Sequence, residues 1–205
     1  EDILTEWIDL TFPELRQEDR KVIYEILSDR NESYEKYTSA LGIGLIVNSK
    51  NAHYGPAVND HEYSRWGTYH FADRNGVGVD RTLATGSGYT GQYLNEVCRR
   101  FENLDTCPDR WLLFFHHVPY THRLKSGKTV IQHIYDTHFE GVECVKEYIK
   151  KWSGMKGKVS DQNYENVESR LQLQLIDAVE WRDQINTFFY RFSGIGDEHG
   201  RNIYL

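Results

Sequence analysis

The sequence predicts a mainly α fold, a helical domain with a long glycine- and aromatic-rich loop insert over about residues 42–91. Three observations predict it. Apolar residues recur at helical spacing near both ends of the chain. Nine of the 16 glycines fall between Gly42 and Gly91. Within that stretch neither the helical nor the strand period persists.

Ile3, Leu4, Trp7, Ile8 and Leu10 mark the first helix. Thr11-Phe12-Pro13-Glu14 then reads as a capping-box start, with Thr as cap, Pro in the first turn and Glu three residues on. The second helix carries Val22, Ile23, Ile26 and Leu27 and runs on to Tyr37. Ordered loops follow, with short strands near residues 43–47 and aromatics too numerous for disorder. Helices resume over 93–103 and 110–117, the latter stopped by Pro119. Residues 130–152 form another, with Ile131, Ile134, Val142, Val145 and Ile149 inward and its middle weakened by Gly141. Ser160 or Asp161 caps the last helix and Gly194 ends it, at about 30 residues or roughly 45 Å.

With 205 residues the chain fits one large domain or two small ones. A net charge of −7 argues against nucleic acid, whose binding needs clustered Lys and Arg. No apolar run is long enough to cross a membrane. Cys98, Cys107 and Cys144 are odd in number and match no zinc spacing, which points to a reducing, cytoplasmic setting. The chain opens Glu1-Asp2-Ile3 and holds one Met, Met155, so it reads as a piece of a longer polypeptide.

Two stretches could carry chemistry. The first is FFHHVPYTHRL, residues 114–124, with His133 and His138 close behind. A zinc site wants three or four converging ligands, often from HxxxH on one helical face. His116 and His117 are adjacent, His133 and His138 are five apart, and no HExxH occurs. No GxSxG, GxGxxG or P-loop accompanies them. The alternatives are a structural role, donating to backbone where the chain turns, and a ligand-facing role for one or two of the rings.

The second is residues 54–81, YGPAVNDHEYSRWGTYHFADRNGVGVDR. Flat aromatics interleaved with Arg, Asp, Glu and His suit carbohydrate, whose C–H faces lie on rings while its hydroxyls take hydrogen bonds. Self-packing of the loop, or a protein contact, would use the same residue types.

Three passages together resemble glycoside hydrolase family 67. They are HYGPAVNDHEYSRWGTYHFADRNGVGVDRTLATGSGYTGQY, LLFFHHVPYTHRLKSGKTVIQHIYDTHFEGVE and EWRDQINTFFYRFSGI. The resemblance runs from about residue 6 to residue 204 and is to the C-terminal part of that family, the α-glucuronidases. It implies an N-terminal β domain and a (β/α)8 catalytic barrel upstream, with residues 1–205 forming a single C-terminal helical domain. It implies removal of glucuronic acid, or its 4-O-methyl form, from xylo-oligosaccharides by inverting hydrolysis in xylan breakdown. The catalytic carboxylates would belong to the barrel, so the isolated chain is expected to be inactive alone and has no catalytic residue of its own. The domain would supply a homodimer surface and part of the mouth that holds glucuronoxylo-oligosaccharide. Trp66 matches a family Trp expected to contact xylose, with Arg65, Tyr69, His70, Phe71 and Tyr120 beside it as candidate substrate-binding residues. Phe71 stands where the family often has Arg, which trades a hydrogen bond for ring stacking. No cofactor and no metal are implied. The competing readings are a protein–protein assembly module without sugar contact and, from the histidines alone, a metallohydrolase.

Overall fold

The computed structural model describes residues 2–39, 41–42, 47–48, 53–56 and 72–203. Six α-helices are present among them: α1 Asp2–Thr11, α2 Gln17–Thr38, α3 Asn95–Glu102, α4 Leu112–Phe115, α5 Val130–Ser153 and α6 Asp161–Ser193. Two short strands, β1 Val47–Asn48 and β2 His53–Pro56, pair antiparallel. The mainly α expectation holds. Of the expected insert, residues 43–46, 49–52 and 57–71 lie outside the described residues, and 72–91 contain no helix beyond a 3-10 turn at Tyr89–Gln92.

α5 is the central element, packed by α2 on one side and α6 on another. Thr129 caps its start by accepting from the Gln132 amide at 3.3 Å. One face carries Ile131, Ile134, Tyr135, Val142 and Val145 into a core shared with Ala178, Trp181, Ile185 and Phe189 of α6. Burying side chains of this size contributes roughly 1.5–3 kcal/mol each. A second cluster joins Ile8 of α1, Ile23 of α2, Trp152 and Met155 at the far end of α5, and Leu171 of α6. There the Trp152 indole donates to Tyr164 O at 3.1 Å, and Lys151 and Lys158 reach Glu25 at 2.8 Å and Asp19 at 2.7 Å.

α6 keeps the predicted boundaries. Ser160 accepts from the Asn163 amide at 3.3 Å, and Gly194 closes the helix in the left-handed region at φ 66. Three expectations are corrected. Thr11 ends α1 rather than capping α2, because Phe12 still donates to Ile8 O at 2.9 Å and Pro13 punctuates there; α2 begins at Gln17 with no side-chain cap. The helix expected over 110–117 shrinks to α4, because residues 113–118 hydrogen-bond along the loop 77–81 instead. The strand expected near 43–47 appears at Val47–Asn48; residues 43–46 lie outside the described residues.

Gly141 does not weaken α5; it permits the crossing with α2. A Cβ there would sit 2.8 Å from Tyr37 Cβ and 2.9 Å from Tyr37 N. Alanine would gain about 1 kcal/mol of helix propensity. Overpacking against a fixed backbone costs about 1–3 kcal/mol and should prevail. Gly141→Ala is expected to lower Tm by a few degrees in calorimetry; a higher Tm would mean the helices part freely at this point.

His138 is fully buried on α5. Its Nδ1–H donates to Ile134 O at 2.6 Å, and Nε2 has no partner among the described residues. Burial pushes its imidazole down to about 4, against about 6.5 for an exposed histidine. Between those values the unfolded chain binds more protons than the folded one. Stability is therefore complete above about 6.5 and is lost as pH falls through the window, on the order of 3 kcal/mol in all. Tm should fall by several degrees between about pH 6.5 and about pH 5, and His138→Leu should remove most of that slope. A residual slope from His133, which burial and then the Lys128 charge lower in the same direction, remains. Parallel curves for the two proteins would clear His138 of the effect.

Candidate functional site

The segment that follows the aromatic motif is built as a seam. Val77 and Val118 exchange both backbone hydrogen bonds, at 2.9 and 3.0 Å. Val79 N donates to Leu113 O at 3.0 Å and Arg81 N to Phe115 O at 2.9 Å. Approach is so close that a Cβ on Gly78, whose φ is +104, would lie 2.1 Å from His116 O. Glycine is thus required there by space and by backbone conformation.

Asp73 starts the seam. Its Oδ1 accepts from the amides of Asn75 at 2.7 Å and Gly76 at 2.9 Å, and its carbonyl accepts the Tyr120 hydroxyl at 2.8 Å. Tyr120 is 4% exposed and its ring meets Phe189 edge-on. It faces the core, and its hydroxyl is committed to the backbone two residues after Phe71. Burial also pushes the phenol's pKa upward, so it stays a neutral donor. Arg65, Trp66, Tyr69, His70 and Phe71 lie outside the described residues.

The seam ends in a polar turn. Asp80 accepts from Thr82 N at 3.0 Å, Thr82 Oγ1 at 2.7 Å and Thr85 Oγ1 at 2.6 Å. Arg81 lies over the Phe114 ring at 4.1 Å and donates to Phe114 O. Phe101 stacks on Phe115 at 4.3 Å, and Tyr93 packs against both rings.

The histidines serve this scaffold. His116 donates through Nε2 to Phe101 O at 2.7 Å. His117 donates through Nδ1 to Gly78 O at 2.8 Å and stands 3.6 Å from Asp73 Oδ2. His122 is half-buried, and its backbone carbonyl accepts from Val130 N at 2.9 Å. His133 lines a cleft of about 540 Å³ between α2 and α5, with Lys36, Glu35 and Asp109. A larger cleft of about 970 Å³ between α1 and α2 holds Asp9, Arg16, Arg20 and Lys21 and none of the sequence-predicted site residues. Among the described residues no group of three His, Cys, Asp or Glu side chains could hold a metal ion. No described helix is long and apolar enough to cross a membrane.

Sequence reasoning missed a buried charge network. Asp136, 4% exposed, accepts from Lys128, Gln132 and Arg201. Asp197 accepts from Gln132 at 2.8 Å and from Arg201 Nη2 at 2.7 Å. The Arg201 guanidinium also lies 4.3 Å over the Phe139 ring. The network holds residues 195–203 against α5. Its members are far apart in sequence, and no local spacing signals it.

Among the described residues five carboxylates have clearly displaced acidity, and all are stronger acids than usual. Hydrogen bonds from Lys158 and Lys151 lower Asp19 and Glu25. Burial pulls Asp80, Asp136 and Asp197 the other way but is outweighed. The opposing bonds come from Thr85 and Thr82 for Asp80, Lys128 and Arg201 for Asp136, and Arg201 and Gln132 for Asp197. A general acid needs the reverse, a carboxyl kept protonated near neutral pH.

The family model described as glycosyl hydrolase family 67 C-terminus matches residues 1–202. Alpha-glucuronidase A of Aspergillus tubingensis is 43% identical over 205 residues, covering 98% of this chain and 24% of that protein. Alpha-glucuronidase A of Emericella nidulans is 44% identical over 200 residues with the same two coverages, and the probable alpha-glucuronidase A of Aspergillus clavatus is 43% identical over 204. The chain thus spans about a quarter of the length of the relatives it matches. A model match over nearly every residue, on a mainly helical fold, places this chain in glycoside hydrolase family 67, as its C-terminal domain.

Proposed function

We propose that this chain works as the C-terminal domain of an α-glucuronidase that removes glucuronic acid, or its 4-O-methyl form, from xylo-oligosaccharides with inversion. The observation that carries this reading is the family match over residues 1–202, joined to relatives named alpha-glucuronidase A. Inverting hydrolysis takes one carboxyl to protonate the leaving oxygen and a carboxylate to activate water on the opposite face of the sugar. The five displaced carboxylates among the described residues are all strengthened acids, which fits an acid and base located in the remainder of the full-length enzyme, an N-terminal β domain and a (β/α)8 barrel.

In this reading Arg65, Trp66, Tyr69, His70 and Phe71 line the mouth that holds glucuronoxylo-oligosaccharide. The fixed position of Asp73, held by Tyr120 and by its own turn, supports it, since it anchors the end of that motif. The domain pairs with a second copy, for which the outer face of α6, with Leu173 and Ile176 61% and 63% exposed, is a suitable surface. Cys98, Cys107 and Cys144 are free thiols, which fits a reducing, cytoplasmic location.

Two outcomes are expected. The full-length enzyme should release glucuronic acid from a 4-O-methylglucuronosyl xylo-oligosaccharide, whereas the isolated 205-residue chain should release none. Turnover by the isolated chain would put the acid and base inside it. Trp66→Ala in the full-length enzyme should lower kcat/KM on the same substrate, by about 1–3 kcal/mol if stacking on a sugar resembles stacking on a base. Unchanged kinetics would remove Trp66 from the site.

A further inference from the structure

α1 carries more apolar surface than its own domain covers. Leu10, Ile3, Trp7, Leu4 and Ile8 fall on one arc of the helix, about 160° wide at about 100° per residue. One edge of the arc is seated: Ile8 is 2% exposed in the second core cluster, with Leu4 packed against it. The other edge is bare. Ile3, Trp7 and Leu10, at i, i+4 and i+7, are 84%, 48% and 75% exposed. Three large apolar side chains in a row on one helix mark a contact rather than scattered surface residues.

The comparisons indicate what covers them. The matched unit is the C-terminus of its family, and it accounts for only 24% of the length of its relatives. The remaining polypeptide of those relatives precedes the matched unit and is covalently joined at the α1 end. A tethered partner is present at an effective concentration near millimolar, so three apolar side chains suffice to hold it. We propose that Ile3, Trp7 and Leu10 seat α1 on the catalytic portion of the full-length enzyme, making α1 a wedge between two bodies. The partner surface is apolar, with polar or basic groups facing the exposed Glu6 beside Leu10. This assignment rests on the functional reading above and adds the residues that join the two parts.

The test compares the full-length enzyme and the isolated chain, each as wild type and as the double variant Ile3→Glu, Leu10→Glu. Trp7 is left intact because its ring meets Phe12 at 6.1 Å within the domain. In the isolated chain the variant should keep the wild-type Tm and oligomeric state. In the full-length enzyme it should speed limited proteolysis between the two parts about ten-fold, because cleavage follows the population of the open form, and the domain should unfold in its own transition. Wild-type proteolysis of the full-length variant would overturn the proposal. A dimer-to-monomer change in the isolated chain would overturn it in favour of a second copy, and loss of the isolated chain's fold would place these side chains in the domain's own core. Failure of the functional reading is separate: the wild-type full-length protein would release no glucuronic acid, whatever the protease shows.

Discussion

The contact between Gly141 and Tyr37 sets how close α2 and α5 can come, and the domain is arranged around that distance. With no side chain at 141, the Tyr37 backbone nests against α5. Val142 and Val145 then reach the α6 side while Tyr148 meets Ser33 of α2. A wider crossing would open both clusters, because protein interiors are packed at crystal-like density and do not absorb gaps smoothly. The second cluster and its two lysine bridges close the same three helices at the other end.

At the first end the chain solves a different problem, holding in place residues 72–94, which carry a single 3-10 turn. It does so with single polar bonds to backbone. Tyr120, His116 and His117 each donate a hydrogen bond to a backbone carbonyl, one in α3 and two in the segment 73–78. Polar side chains near a core are normally satisfied in this way. Their donors lie in one short stretch, 116–120, and their acceptors are Phe101, Gly78 and Asp73. The dense histidines, with Tyr120, are thus the clasp of this segment.

What was legible in the sequence was local. Ser160 and Gly194 bounded α6 because a cap and a left-handed residue act within one turn. The apolar period of α5 was readable for the same reason. What was not legible depended on partners distant in the chain. α4 stops at Phe115 because residues 113–118 pair with 77–81, a competition no window of eleven residues contains. Gly141 looked like a flaw because its merit belongs to Tyr37. Thr11 carried a correct capping pattern, but α1 had already claimed it. Tyr120 stood out as an aromatic beside a histidine cluster, while the atom that occupies its hydroxyl lies 47 positions earlier. The five motif residues, Arg65 to Phe71, came from family resemblance and not from any period.

The charge network around Asp136 bears on how the domain is made. Asp136 lies in the middle of the chain and is almost wholly enclosed, yet one of its cations is Arg201 and its neighbour Asp197 shares that cation, 65 and four residues away from it respectively. A carboxylate enclosed without its partners is strongly unfavourable. Lys128 and Gln132 stay with Asp136 whatever the tail does, so residues 197–201 add its second cation and the cover over it. The tail is thus a latch, whose docking turns a carboxylate with one cation into one held by two.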